Sequence, residues 1–271
     1  MAIEDRRVPW YDEKLKDAQL THAARQLLEI YSDVPSDQVT DHVVKVRDEA
    51  WNIFPYPCIG QFRFLSLSLK QMTEYPEILQ RIKQGAKLLD MGCCFGQEIR
   101  QLVADGAPSE NLYGCDLRPE YIELGYKLFL DKDRLHATFL TADIFGPESA
   151  FTNLKGQLDF IFAGSFFHLW SYHDQKRVGK VVASLLKPQA GSMILGRQVG
   201  AVNPGERTSA KDPLQSMFVH NVESIQKMWK EIGDDMGTTF KVEAKLTLLE
   251  ESHFKTALDD SRRIWFTVRK E

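Results

Sequence analysis

From Lys87 onward the chain alternates short apolar runs with amphipathic ones, and that alternation leaves few folds open to it. KLLDM reads as a buried strand and QEIRQLVADG as a helix stopped at Gly106. NLYGCDL is a second strand, followed by a helix, PEYIELGYKLF, that Pro119 opens. HATFLTADIF and LDFIFAG are the third and fourth strands, DQKRVGKVVASLLKP is a helix closed before Pro188, and GSMILGRQV is the fifth strand. A turn-rich loop follows Gly200, then a helix from Val222 to Ile232 capped by Asn221, then two late strands, FKVEAKLTLL and RRIWFTVRK. The pattern predicts an α/β fold: a doubly wound, mostly parallel, seven-stranded Rossmann-like sheet with helices on both faces.

The segment before it has a different texture. Leu15, Ala18, Ala24, Leu27, Leu28 and Tyr31 recur near helical spacing, and Ser36 is placed to cap a second helix carrying Val39, Val43, Val46 and Ala50. That helix must end before Pro55 and Pro57. The apolar, aromatic stretch CIGQFRFLSLSL suits a helix or a strand, with helix favoured, and a short helix after Pro76 ends at Gly85. The first 85 residues are therefore expected to form a helical cap on a sheet domain spanning 86–271.

Composition narrows the class. No run approaches the roughly 18 apolar residues of a membrane span, and the N-terminus lacks the apolar core of a secretory signal, so no membrane insertion and a cytoplasmic location are expected. The four cysteines have no zinc-ligand spacing, so no metal is expected. A net charge of −4 gives no footprint for nucleic acid and favours a small-molecule partner.

The most informative residues are Leu88-Leu89-Asp90-Met91-Gly92-Cys93-Cys94-Phe95-Gly96, where a strand ends and a loop of small residues opens a helix. In doubly wound folds ligands bind at that edge of the sheet. Gly92 permits a sharp turn and Gly96 a close approach of backbone to ligand. Asp116 ends the second strand about 20 residues past Gly96, the offset at which a carboxylate reaches a ribose diol. Asp143 closes the third strand, placed to accept from an adenine amine while Ile144 packs on the ring; Gly164-Ser165-Phe166-Phe167-His168 follows the fourth. A dinucleotide is the rival ligand, but Cys94 fills the middle glycine position of its fingerprint. Asp90 suits the ammonium of a zwitterionic sulfonium cofactor better than it suits a pyrophosphate.

LLDMGCCFGQEIRQLV, LYGCDLRPEYIELGY, TADIF, FIFAGSFFHLW and LGRQVG resemble class I S-adenosylmethionine-dependent methyltransferases. AWNIFPYPCIGQFRFL narrows the resemblance to the fungal methyltransferases of meroterpenoid biosynthesis, which esterify a carboxyl group. The resemblance runs from about Trp10 to the C-terminus. It implies S-adenosyl-L-methionine as cofactor, carried by Asp90, Gly92, Asp116, Leu117, Asp143 and Ile144, with Cys93, Gly96 and Gly164 in the surrounding loops. It also implies a small-molecule carboxylic acid as acceptor. A homodimer is left open as the assembly.

A carboxylate is ionised at neutral pH and needs no general base, whereas a phenol usually wants one. His168 is the candidate for that base, or for a hydrogen bond to a carboxylate; Arg197 and Arg63 are the candidate cationic clamps for an acid. Gln61 and Gln198 are lesser polar candidates, and Trp51, Phe54, Tyr56, Phe62, Phe64, Phe166, Phe167 and Trp170 are candidate pocket walls. Methylation of a phenol or amine, or a non-catalytic binding protein on the same fold, remain as alternatives.

Overall fold

The computed structural model describes residues 6–146, 148–208, 216–249 and 260–271. Helix α1 (His22–Gln26) opens on Thr21, whose hydroxyl accepts the Ala24 N–H, and runs into a π-helical turn at Leu27–Tyr31. Helix α2 (Val39–Ile53) buries Val39, Val43, Val46 and Ala50 completely, the stripe that the spacing predicts. It starts later than a Ser36 cap requires: Pro35–Gln38 closes into a turn through Gln38 N–H on the Pro35 carbonyl at 2.8 Å. The stretch CIGQFRFLSLSL is not one helix. It breaks into α3 (Pro57–Gly60) and two 3₁₀ turns, Arg63–Ser66 and Leu69–Gln71, because Phe62 and Leu67 take left-handed backbone at φ 54° and 44°. Helix α4 (Tyr75–Lys83) follows, with Gly85 just beyond it at φ 98°.

The alternating region folds as β1 (Leu88–Met91), α5 (Gln97–Ala104), β2 (Leu112–Asp116), α6 (Pro119–Phe129), β3 (Thr138–Thr141), β4 (Phe160–Phe162), α7 (Tyr172–Leu185) and β5 (Met193–Ala201). Beyond a short hairpin of β6 (Gly205–Thr208) and β7 (Ser216–Val219) come α8 (Val222–Met236), β8 (Phe240–Thr247) and β9 (Ser261–Lys270). The main sheet has seven strands in the order β3-β2-β1-β4-β5-β9-β8. Pairs β2–β3, β1–β4 and β4–β5 are parallel; β5–β9 and β9–β8 are antiparallel. This is the doubly wound Rossmann-like sheet that the alternation predicts. The β6–β7 hairpin replaces part of the loop expected after Gly200; residues 209–215 of that loop lie outside the described residues. Asn221 caps α8 as expected, reinforced by Ser224 in a reciprocal capping box.

The chain divides into two compact units: one holds residues up to Gln84 with Cys93–Thr141, the other Gly85–Gly92 with the described residues from Ala142 onward. In the first, α2 packs along α6, and Val43, Val46, Ala50, Leu124, Leu128 and Phe129 share a core with Phe95. In the second, β9 pairs with β5 over nine residues and α8 packs on β8. There Trp229 meets the ring edges of Phe167 and Phe240. Among the described residues no helix is long and apolar enough to cross a membrane.

Packing in the first unit makes one strict demand. A methyl group at Gly125 in α6 would stand 2.3 Å from the Phe95 carbonyl oxygen, a backbone atom that cannot swing aside. Gly125→Ala is expected to cost about 1–3 kcal/mol as the helix is pushed off the loop, read as a lowered urea midpoint with unchanged slope.

Candidate functional site

In the first unit the loop after β1 is held at nearly every residue. Cys93 N–H donates to the Cys115 carbonyl at 3.0 Å, Cys94 N–H to Asp116 Oδ2 at 2.8 Å, and Gly96 N–H to the Cys93 carbonyl at 2.7 Å. Cys94 and Gly96 take left-handed backbone, at φ 53° and 64°, as does Gly92 of the second unit at 73°. A left-handed cysteine is strained backbone of the kind that clusters at functional sites. Gly96 is glycine for a packing reason as well: a Cβ there would lie 2.6 Å from Arg100 Nη1 and 2.9 Å from the Phe139 ring.

Asp116 joins two loops. Its Oδ2 takes the Cys94 N–H and its Oδ1 the Arg118 N–H at 3.0 Å. Burial pushes its carboxyl above the usual value, and backbone N–H groups of Arg118, Cys94 and Leu117 pull it part of the way back. Beside it Leu117 is 54% exposed, an apolar side chain offered to solvent next to a carboxylate. A carboxylate has about four acceptor directions, so a diol can add to the two printed bonds. An exposed apolar neighbour fits an aromatic base. These residues suit the ribose and adenine of an adenosyl group.

Sequence reasoning missed what stands next to them. The Arg118 guanidinium lies 4.6 Å from the Phe54 ring centre and hydrogen-bonds the Tyr56 hydroxyl. Tyr121 O–H donates to the Phe54 carbonyl at 2.8 Å. The proline-flanked Phe54–Tyr56 segment is thereby fixed against the turn that carries Asp116. The one available signal was an arginine directly after Asp116-Leu117. Of the expected pocket walls, Trp51, Phe62 and Phe64 are core residues, whereas Phe54 and Tyr56 are half-buried. Arg63, also in this unit, heads the 3₁₀ turn bracketed by left-handed Phe62 and Leu67, with Nη2 on Gln61 Oε1.

The second unit gathers the remaining candidates. Asp90 is buried on β1 in register with Phe162. A Cβ on Gly92 would stand 3.0 Å from the Phe166 ring, so this turn lies against the loop after β4. In that loop, beyond Gly164, Ser165 has φ 55° and its N–H donates to the Arg197 carbonyl at 2.6 Å. Arg197 Nη1 donates back to Ser165 Oγ at 2.8 Å. The His168 N–H donates to Oε1 of the fully buried Gln198 at 3.2 Å. Arg197 and Gln198, expected at a strand end, lie mid-strand in the nine-residue β5, where they hold the loop of Gly164 and His168 that follows the end of β4. Asp143 is exposed and its Oδ1 caps its own turn through the Phe145 N–H at 2.9 Å; Ile144 is half-buried. Phe145, which the sequence did not single out, is 41% exposed, edge-on to Trp170 and under Arg177 at 5.1 Å. An apolar residue following Asp143-Ile144 on a loop was the available signal.

Residues 10–65 match the family described as meroterpenoid methyltransferase N-terminal domain, and residues 88–189 match a methyltransferase domain. The O-methyltransferase atr3 of Stereocaulon alpinum is 40% identical over 263 residues, covering 96% of this chain and 75% of its own. The asnovolin E/chermesin D methyltransferase nvfJ of Aspergillus novofumigatus is 44% identical over 228 residues, 83% of this chain and 81% of its own. Among solved structures the cyclase SpnF matches with a TM-score of 0.50 at 15% identity, over 72% of this chain and 81% of that one, a likeness of fold alone.

The left-handed cysteine offers a test that needs no ligand. Cys94→Gly keeps that conformation freely and is expected to stay within about 1 kcal/mol of the parent stability. Cys94→Val puts a β-branched side chain there and is expected to cost about 1–3 kcal/mol. Equal urea midpoints for the two variants would contradict the strain assigned to this position.

Proposed function

We propose that this chain, which belongs to the family of methyltransferases with a meroterpenoid methyltransferase N-terminal domain, forms a methyl ester on a carboxyl group of a small-molecule, meroterpenoid-type intermediate of secondary metabolism. It is a methyltransferase, and its cofactor is S-adenosyl-L-methionine. When bound, the cofactor would supply a methyl carbon activated by its sulfonium, which an acceptor oxygen would attack in line while the sulfur leaves as a neutral thioether. The protein's task is then alignment and exclusion of water, worth several kcal/mol when the reacting atoms are held close.

On the first unit the cofactor contacts are assigned to Cys93, Gly96, Asp116 and Leu117, with the Asp116 carboxylate accepting the ribose hydroxyls beside the exposed Leu117 side chain. On the second they are assigned to Asp90, Gly92, Asp143, Ile144 and Gly164. The observation that carries the acceptor class is Arg197: a buried guanidinium on β5, anchored by Ser165 of the loop after β4, in the unit that also presents Trp170 and Phe145. A planar fork in apolar surroundings suits a carboxylate on an otherwise greasy molecule. His168, its backbone fixed by Gln198, is assigned a hydrogen bond to the same acid. Arg63 is a second cation for this role on the first unit.

Asp116→Ala is expected to weaken S-adenosylhomocysteine binding by about 2–4 kcal/mol through loss of charge-assisted bonds. Because Asp116 also staples two loops, the thermal midpoint should be recorded beside the calorimetric titration; unchanged affinity would remove Asp116 from the site.

For the reaction, a carboxylate nucleophile predicts a rate that stays flat from about pH 6 to 9. Arg197→Ala should mainly raise the KM for the acid, and His168→Asn should retain much of the activity. The product should be cleaved by mild base, as a methyl ester is. A base-stable product, with a rate that climbs with pH, would assign a phenol instead and leave the methyltransferase activity intact.

A further inference from the structure

Arg100, in α5, engages all three nitrogens of its guanidinium. Its side chain is 1% exposed and its Nε and Nη2 grip both oxygens of Asp131, itself fully buried, at 2.8 and 3.0 Å. Nη1 donates to the Phe95 carbonyl at 2.7 Å and reaches the Gly96 carbonyl at 3.4 Å. Aromatic rings of Phe129, Tyr126 and Phe139 surround the guanidinium, with centres 4.9, 5.1 and 5.6 Å away. The Asp131 Oδ2 takes one more bond, from the Tyr31 hydroxyl at 2.8 Å. Burial, then the Asp131 carboxylate, push the Tyr31 hydroxyl's pKa up, so it remains a donor throughout the working range.

The chemistry of this cluster is costly as a stability device. A buried ion pair loses hydration that its mutual attraction barely repays, and an apolar replacement is often as stable. What an apolar replacement cannot do is hold a carbonyl. The peptide between Phe95 and Gly96 is fixed at both ends: its oxygen by Arg100 and its N–H by the Cys93 carbonyl. Helix α5 begins only at Gln97, so this peptide lies in the loop after β1. Tyr31 stands in the π-helical turn within the matched N-terminal domain, a rare geometry frequent at functional sites.

We infer that Tyr31, Asp131 and Arg100 form a positioning relay that sets the loop Cys93–Gly96 for cofactor binding, and so makes cofactor affinity depend on the N-terminal domain. The inference rests on the assignment of that loop to the cofactor. Asp131 fixes the rotation of the guanidinium, the guanidinium fixes the Phe95–Gly96 peptide, and Tyr31 fixes Asp131. None of the three touches the cofactor itself.

The test is S-adenosylhomocysteine titration by calorimetry, well below the unfolding midpoint, with the midpoint of the cofactor-free protein measured in parallel. Tyr31→Phe removes a single hydroxyl and keeps the ring; its dissociation constant is expected to rise roughly three- to tenfold. The KM for S-adenosylmethionine should rise in step, with kcat at saturating cofactor unchanged. Arg100→Lys keeps the charge but cannot span a carboxylate and a carbonyl together, so its loss is expected to be about tenfold or more. Parental affinity in Tyr31→Phe, with or without a lowered midpoint, assigns the network to stability alone and overturns the inference; so does parental affinity in Arg100→Lys. Asp116→Ala, measured alongside, separates the two readings. If it alone loses affinity, the relay fails and the loop assignment stands; if it too binds normally, the loop assignment fails with it.

Discussion

The Phe95 carbonyl is the point that the first unit is built around. Helix α6 crosses it so closely that only glycine fits at position 125, and Arg100 closes on it from α5. Phe95 itself sits edge-on to both Phe64 and Tyr121, so its ring joins the N-terminal segment to α6. One peptide unit thus ties together two helices, the glycine turn and the N-terminal core. Its neighbours are constrained in consequence: Gly96 has no room for a side chain, and Cys94 is forced into left-handed backbone. The geometry of the loop is set by packing from several sides rather than by the loop's own preferences.

Methyl transfer from a sulfonium asks for this kind of rigidity more than for acid–base groups. Alignment is the main contribution that the protein makes, and alignment depends on loops that hold still. Asp116 shows how one group serves both ends, since the backbone bonds that seat its carboxylate also join the loops after β1 and β2. The second unit follows the same logic with different residues. Ser165 and Arg197 exchange two hydrogen bonds, and Gln198 holds the next turn at His168. Both anchors project from β5, which β9 supports along its whole length.

Much of this was legible in the sequence. The strand and helix pattern from Leu88 to Lys270 depends on local periodicity and on punctuation by Pro119, Pro188 and Asn221, and those signals are short-range. The carboxylates at strand ends were legible for the same reason: the strand places them whatever happens elsewhere. What could not be read depends on contacts distant in sequence. Nothing local marks Phe62 or Leu67 as left-handed, since neither is a residue that favours it. The β6–β7 hairpin is built from GERT, which is polar, and SMFV, and at four residues each they are too short to signal strands. The Tyr31–Asp131 bond spans 100 positions. The Arg118–Phe54 stack is invisible until the N-terminal segment has a place to lie.

Two buried arginines among the described residues of the first unit show what holds its less legible segments in shape. Arg47 is fully buried, and its Nη1 holds the carbonyls of Asp12 and Gly60 at 2.6 and 3.1 Å, with Tyr11 and Phe62 on its faces. Arg100 does the same for Phe95 and Gly96. The Asp12 and Phe95 carbonyls lie on irregular backbone, while the Gly60 and Gly96 oxygens, at the edges of α3 and α5, also take the N–H groups of Asp12 and Arg100; a buried carbonyl left unsatisfied is costly. A guanidinium offers several donors in one plane and two faces for aromatic rings, so it can satisfy such oxygens without water. It follows that the irregular loops beside Gly60 and Phe95 are fixed by buried charge acting on backbone. A hydrophobic pattern can locate these loops, but their shape is decided by Arg47, Arg100 and the carboxylates that orient them.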